Sequence, residues 1–378
     1  MTSETVPQIP SEMLPADGRF GCGPSRVRPA QIEAISTSGV MGTSHRQAPV
    51  KGVVAAIRAG LRDLYQLPDG YEVALGNGSA SAFWSIAATC LVRERAAHAV
   101  CGEFSGKFAK ETQGAPFLAD SRVVKGEPGS IVSPSSLIDE DGAPTPDLYG
   151  YAHNETSTGA CTPVERVAVD GGLTVVDGTS IAGAAAVDIA NVDAYYFAPQ
   201  KSFGSDGGLW LSLLSPAAVD RVEELRGVDG RWQPSILSLG TALDNSRKEQ
   251  TLNTPALATL VMLADQIAWM LAEGGLAEME RRSRAASGAV YEWAESREWA
   301  TPFVAEPAWR SPVVATIDLA DDVDHKAVTA ALRANGIVDI DPYRGLGRNQ
   351  LRIGTFPATP LSDVEALLAC IDWVVERI

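Results

Sequence analysis

The sequence predicts an α/β fold: a large domain on a mainly parallel central sheet, followed by a smaller α+β domain. Three observations predict it. β-branched and aromatic runs alternate with apolar helical stretches up to about Leu271, the rhythm of strands covered on both faces. Several runs break off at a polar residue, as a buried parallel strand does where it leaves its sheet. Beyond Leu271 the pattern changes to long amphipathic helices around two isolated strands.

The elements follow in order. YEVALG (71–76) reads as a strand, GNGS as a turn and ASAFWSIAATCLV (80–92) as an apolar helix. HAVCG (98–102), RVVKG (122–126), LYGYAH (148–153), TVVD (174–177), YYFAP (195–199) and LWLSLL (209–214) read as strands, with helical stretches between several of them. The window 256–275 is the most apolar, but Asp265 and Gln266 interrupt it and it is short for a membrane span, so it reads as a core or interface helix. The later part reads as a long amphipathic helix, strand 313–319, a helix, strand LRIGTF and a terminal helix. Val364, Leu367, Leu368, Ile371 and Val375 recur there with helical period and predict one buried face. The expected division is an N-terminal arm (1–19), a large domain (20–268) and a small C-terminal domain (269–378).

Composition narrows the class. A chain of 378 residues can bury a sizeable core, and 45% hydrophobic with 21% charged residues is ordinary for a globular protein. The formal charge of −16 argues against nucleic acid and anionic membrane surfaces as partners. Cys22, Cys90, Cys101, Cys161 and Cys370 are scattered, odd in number and free of CxxC spacing, which favours reduced thiols in a cytoplasm over disulfides or zinc. The four histidines show no metal-ligand spacing, so no metal is expected. The polar, proline-rich start lacks the regions of a signal peptide, and a cytoplasmic protein is expected.

The most informative residues are Asp177 and Lys201, 24 positions apart. Asp177 stands at the exit of one expected strand and Lys201 just past the exit of the next. Carboxyl ends of parallel strands are where such sheets place ligands. An acid and a lysine held there suit pyridoxal phosphate: the lysine forms a Schiff base with its aldehyde, and the carboxylate keeps the pyridine nitrogen protonated. A surface lysine and a strand-end aspartate would carry the same letters.

Four further segments bear on this. GNGSASAF (76–83) opens a helix straight after a strand, where backbone N–H groups can hold a phosphate, although any tight strand-to-helix turn uses glycine. In AHNETSTG (152–159), Thr156 could bond the phenolic oxygen of a pyridoxal ring, and the same letters describe a plain turn. In TLNTPALATL (251–260), Thr254 reads as an N-cap and Pro255 as the first helical residue, a second possible anion site. GTSHRQAPV (42–50) puts His45 and Arg46 in a loop.

Taken together with FGCGPSRV (20–27), GEFSGKF (102–108), DGTS, APQKSFGSDGG (198–208) and RIGTFPA (352–358), these segments resemble the phosphoserine aminotransferases over nearly the whole chain. The resemblance implies the fold type I architecture of pyridoxal-phosphate enzymes, a homodimer, and amino transfer between L-glutamate and 3-phosphohydroxypyruvate, giving O-phospho-L-serine and 2-oxoglutarate in serine biosynthesis. Phosphohydroxythreonine, on the route to vitamin B6, is a further substrate of some members. By the same resemblance Lys201 and Asp177 are the catalytic pair, Phe104 stacks on the cofactor and Thr156 touches its phenolic oxygen. Gly78, Ser79 and Gln200 bind its phosphate, with Asn253 and Thr254 from the other subunit. His45, Arg46, Arg344 and Arg352 surround the substrate, Arg352 taking the α-carboxylate.

The chain departs from the family in three places. Ser79 stands where some members carry arginine, Tyr343 where histidine is common, and Phe104 where tryptophan is usual. Lys107 or Arg348 is expected to supply the lost positive charge. Two alternatives remain: another enzyme of this fold, such as a small-amino-acid aminotransferase or cysteine desulfurase, and a non-catalytic nucleotide-binding protein using the GNGSAS turn.

Overall fold

The computed structural model describes residues 7–138 and 145–378. Residues 1–6 of the expected N-terminal arm lie outside them. The chain runs through α1 (Pro29–Thr37), α2 (Ala48–Tyr65), β1 (Glu72–Gly78), α3 (Ala80–Cys90), β2 (Ala96–Val100), α4 (Glu103–Gly114), β3 (Arg122–Lys125), β4 (Leu148–Ala152), β5 (Asn154–Glu155), β6 (Ala160–Cys161), β7 (Leu173–Asp177), β8 (Ala194–Phe197) and β9 (Gly208–Leu214). It continues through α5 (Pro216–Leu225), α6 (Leu239–Ser246), α7 (Leu257–Ala272), α8 (Gly275–Glu295), β10 (Ala300–Pro302), β11 (Val314–Leu319), α9 (His325–Ala334), β12 (Gln350–Gly354) and α10 (Leu361–Val375).

Seven strands form one sheet in the order β1-β9-β8-β7-β4-β2-β3. Only β9 runs against its neighbours, pairing antiparallel with both β1 and β8. The other six therefore point the same way and share one carboxyl edge. Side chains alternate across the sheet as a period of two requires. Val176, Tyr195 and Phe197 face a core closed by α2 and α7, while Val175, Ala194 and Tyr196 face a core closed by α3, α5 and α6. Burial on both faces explains why these strands read as continuous apolar runs rather than alternating ones.

In α2, Val50, Val54, Ile57, Leu61 and Leu64 recur at helical spacing and are buried, so one stripe meets α7. The apolar window at 256–275 is largely α7, whose Leu260, Val261, Leu263, Ile267 and Met270 enter the first core. Among the described residues no single helix is long and apolar enough to cross a membrane; α7 and α8 together meet the length and composition, with a 91° bend between them.

A second sheet, β10-β11-β12, is antiparallel and carries its own core with α8, α9 and α10. Ile9, Met13, Leu14 and Phe20 from the N-terminal segment pack into this core. Helix α8 joins the two parts: its Met279 lies in the first core, and Ala286, Val290 and Ala294 lie in the second.

Local expectations needed correction at several element ends. β1 runs on through Asn77 and Gly78, which pair with Leu209 and Gly208, so three of the four residues of the expected turn are strand. β2 ends at Val100, leaving Cys101 and Gly102 past its exit. Helix α7 starts at Leu257 with Ala256 at its cap, so neither Thr254 nor Pro255 holds the expected capping position. In α10 the last fully buried position is Val374, and Val375 is only partly buried, because the packed stripe follows 3.6 residues per turn.

Candidate active site

The carboxyl edge of the large sheet ends in a cavity of about 350 Å³. Ser79, Ser81 and Trp84 line it from the start of α3, Phe104 and Lys107 from α4, and Thr156, Asp177, Gln200 and Lys201 from the segments leaving β5, β7 and β8. Strands separated by many residues thus deliver their polar exits to one place.

Lys201 is only 8% exposed, and its Nζ donates to Thr156 Oγ1 at 3.0 Å. The amine lies 5.3 Å from the centre of the Phe104 ring. Burial pushes its pKa down to about 8; nearby Arg352 acts in the same direction, while Cys22, Asp177 and Glu155 oppose. The loop FGCGPSRV clamps this side chain. Gly23 has φ +130°, and a Cβ there would sit 2.7 Å from Lys201 Cε, so glycine is needed on both counts. Ser25 N–H donates to the Gln200 carbonyl at 2.8 Å, and Ser25 Oγ donates to the Lys201 carbonyl at 2.5 Å.

Asp177, 7% exposed, is the last residue of β7. Its Oδ1 accepts from Thr179 N–H at 2.9 Å and its Oδ2 from Trp84 Nε1–H at 3.2 Å. Burial raises its pKa, and the bonds from Thr179 and Trp84 work against that rise by favouring the ionised form. A cation opposite this carboxylate would hold it charged.

Glu155 was not anticipated from the sequence. Fully buried, it accepts from Phe104 N–H at 3.2 Å, Ser105 N–H at 3.0 Å and the hydroxyls of Ser105 and Ser157 at 2.8 and 2.7 Å. It ties the N-terminus of α4 to the turn that carries Thr156 just after β5, as a carboxylate at a helix start can. Gly102 permits this, since a Cβ there would lie 2.3 Å from Glu155 Cγ. The result places Phe104 beside Lys201.

Tyr343 closes the same region, with ring centres of Tyr343 and Phe104 5.9 Å apart. Arg352 Cζ sits 5.3 Å from the Tyr343 ring centre, and Arg352 Nη1 donates to the Thr156 carbonyl at 3.2 Å. Its Nε is buried without a partner. Lys107 lines the cavity, 5.4 Å from the Phe104 ring centre and 3.1 Å from Glu103. Arg348 instead pairs with Asp318 at 2.6 Å in a neighbouring cleft, so of the two expected substitutes for lost charge only Lys107 reaches the cavity.

These residues fit pyridoxal phosphate. Gly78, at φ +134°, turns the chain into α3, and Ser79 stands at its cap without bonding the helix N–H groups, its hydroxyl lying 2.6 Å from that of Ser81. The first N–H groups of α3 are therefore left for an anion. Gln200 Oε1 and Asn154 Oδ1, both on cavity-lining residues, are buried without partners. A lysine amine, a carboxylate, an aromatic face and an anion cradle thus face one space.

Five expected site residues lie elsewhere within a single chain. His45 Nδ1 is 3.2 Å from Thr254 Oγ1, and Arg46 donates to Gln250 Oε1 at 2.5 Å and to the Leu252 carbonyl at 2.9 Å. Asn253 and Thr254 are exposed, and Asn77 Nδ2 donates to the Thr254 carbonyl at 2.9 Å. These four form an exposed group beside the end of β1. Arg344 is exposed on a short turn and lines the cleft of Asp321, His325 and Arg348.

Comparison with known proteins agrees with this geometry. The family model for class-V aminotransferases matches residues 30–339. The chain is 54% identical to phosphoserine aminotransferase of Rhodococcus jostii over 381 residues, covering all of both chains. In three dimensions it resembles a phosphoserine aminotransferase from Cytophaga hutchinsonii, with a TM-score of 0.86 at 22% identity over 96% of this chain and 99% of that one. The pyridoxal-phosphate-bound phosphoserine aminotransferase of Trichomonas vaginalis gives a TM-score of 0.80 at 19% identity over 94% and 99%. The large sheet and its smaller companion are thus those of fold type I aminotransferases, and the chain belongs to the phosphoserine aminotransferase family of class-V aminotransferases.

Proposed function

We propose that the chain is a pyridoxal-phosphate-dependent phosphoserine transaminase, moving an amino group between L-glutamate and 3-phosphohydroxypyruvate to give O-phospho-L-serine and 2-oxoglutarate. The observation that carries this is the buried Lys201 amine, 3.0 Å from Thr156 Oγ1, sharing a cavity with the buried carboxylate of Asp177.

Each residue has a task in this reading. When bound, the cofactor supplies an electron sink for negative charge developing at the substrate Cα. Lys201, with its pKa lowered to about 8, has a substantial neutral fraction near physiological pH and can take and return the proton at that Cα. Asp177 holds a proton on the pyridine nitrogen opposite it. Phe104 supports the ring face, and Thr156 donates to its phenolic oxygen. Gly78, Ser79 and Gln200 bind the cofactor phosphate at the start of α3. Arg352 takes the α-carboxylate, its unpartnered Nε and remaining guanidinium N–H groups matching a bidentate acid.

Asn253, Thr254, His45 and Arg46 serve the site of a second subunit in this reading, which makes the enzyme a homodimer. Arg344, the exposed cation next to Tyr343, joins them in favouring the substrate's phosphate. The division into 20–268 and 269–378 belongs to the same proposal, supported by two separate cores. So does a cytoplasmic setting, in keeping with five free cysteines. Use of phosphohydroxythreonine rests on the same arginines. Burial pushes the Cys22 thiol up, and Cys370 is packed in α10, so neither suits the mobile nucleophile of a desulfurase.

The test is a half-reaction screen. The purified yellow holoenzyme is mixed with single amino acids while its visible absorption is followed. Glutamate and phosphoserine should each bleach the band and alanine should not; bleaching by alanine alone would redirect the reading to a small-amino-acid aminotransferase.

A further inference from the structure

Helix α3 touches the site twice. Its first residues form the anion cradle, and one turn later Trp84 reaches Asp177. Trp84 is buried, lines the same cavity, and gives its indole N–H to Asp177 Oδ2 at 3.2 Å. Thr179 N–H takes the other oxygen at 2.9 Å. A carboxylate has about four lone-pair directions, so these two donors fix its rotation while leaving acceptor capacity toward the cavity.

The helix itself is held firmly. Phe83, adjacent to Trp84, stacks on Tyr196 of β8 at 4.4 Å between ring centres and meets Trp210 of β9 edge-on at 5.4 Å. The groups facing Asp177 are Trp84 from α3, Thr179 from the following turn, Tyr195 and Tyr196 from β8, and Lys201 across the cavity. Both tyrosine hydroxyls stay neutral, since burial raises their pKa well above the usual value. Lys201 is the one cation in that set. The indole N–H is thus a neutral, permanent donor that favours the ionised carboxylate at every pH.

We propose that Trp84 is a positioning residue for Asp177: its indole N–H orients the carboxylate toward the pyridine nitrogen of the cofactor and keeps it ionised, while α3 couples that grip to the phosphate cradle. This rests on the transaminase reading above. It assigns to Trp84 a polar role, where the sequence alone shows only an apolar helix position.

Trp84→Phe keeps the ring and removes the donor. Cofactor affinity is measured by titrating the apoenzyme with pyridoxal 5′-phosphate and following visible absorbance, and kcat and KM are measured for both substrate pairs. Losing a hydrogen bond to a charged group should weaken cofactor binding by roughly 10- to 100-fold and lower kcat to a similar degree, with KM for both substrates nearly unchanged. Unchanged cofactor affinity and kcat would overturn the proposal. So would a rise in KM together with a large drop in apoenzyme melting temperature, the mark of lost packing alone. Should the variant not fold, the indole N–H resonance of Trp84 in the wild-type apoenzyme is compared with that in Asp177→Asn. An upfield move supports the bond, and an unmoved resonance removes it. If the wild-type apoenzyme itself takes up no pyridoxal 5′-phosphate, the transaminase reading fails instead.

Discussion

Two groups of site residues differ sharply in how they are held. Lys201 and Asp177, both under 10% exposed, are bonded in place and braced by the buried side chains of Glu155 and Trp84 and by the Gly23 loop. Around His45, Arg46, Asn253 and Thr254 the side chains lie half-exposed or exposed and bond mostly to one another's loops. Preorganisation on a rigid scaffold is what chemistry at one atom needs. An exposed group that completes nothing in its own chain is what a contribution to a second subunit needs. Within the proposed dimer, the first group would be the reaction centre and the second a loan to the neighbour.

The largest effect expected tests the buried centre. Lys201→Ala should abolish transamination and the yellow colour while circular dichroism shows an intact fold. Near-normal turnover in that variant would reject the centre as described.

Next in size is a pH effect on stability. Burial lowers the Lys201 pKa to about 8 from the ordinary lysine value of 10.5. Between those values the unfolded chain binds more protons than the folded one, so this group makes stability rise with pH across that window. Below about pH 8 both states are protonated and the full penalty for a buried ammonium applies. In cofactor-free enzyme, Lys201→Ala should therefore lose this pH-linked gain. Its stability relative to wild type should fall by on the order of 3 kcal/mol from pH 8 to 10.5, whatever constant packing term the truncation adds. Denaturant titrations of both proteins across that range would show it, and parallel curves would mean that the amine is solvated.

Arg352 comes third, because it touches both the centre and the substrate mouth. Arg352→Ala should cut kcat/KM for glutamate and phosphoserine alike by about one to two decades, the worth of a charge-assisted bond to a carboxylate. Loss confined to phosphoserine would move Arg352 to the phosphate, and no loss would place the carboxylate site elsewhere.

The same contrast explains what was legible in the sequence. Asp177 ends its strand, Thr156, Gln200 and Lys201 follow theirs, and parallel topology makes strand exits meet, so local pattern carried their position. Trp84 lies in a stretch that reads only as an apolar helix, where an indole shows no sign of what its N–H touches. Glu155 lay inside a turn-like stretch, and its five donors come from two segments about 50 residues apart, which no local pattern reveals. Tyr343 and Arg344 are neighbours in sequence, yet on a short turn one faces Phe104 and the other an outer cleft. The capping role read for Thr254 failed because Ala256, with extended backbone, takes the cap position before α7 begins at Leu257.

The smallest expected effect is the most exacting for the exposed group. A Lys201→Ala chain is paired with a chain in which Asn253 and Thr254 are both alanine. If these residues serve the opposite subunit, one site of the mixed dimer carries both defects. The other takes Lys201 from the second chain and Asn253 with Thr254 from the first, and is fully wild type. Each mutant homodimer should be impaired, and each mixed dimer should regain about half of wild-type activity, as a two-fold arrangement with reciprocal sharing requires. If the residues act within their own chain, neither site of the mixed dimer is intact, and activity stays at the average of the two parents. Subunit exchange followed by an activity assay separates these outcomes. Asn253 and Thr254 are exposed and do not line the cavity of their own chain, which favours the first.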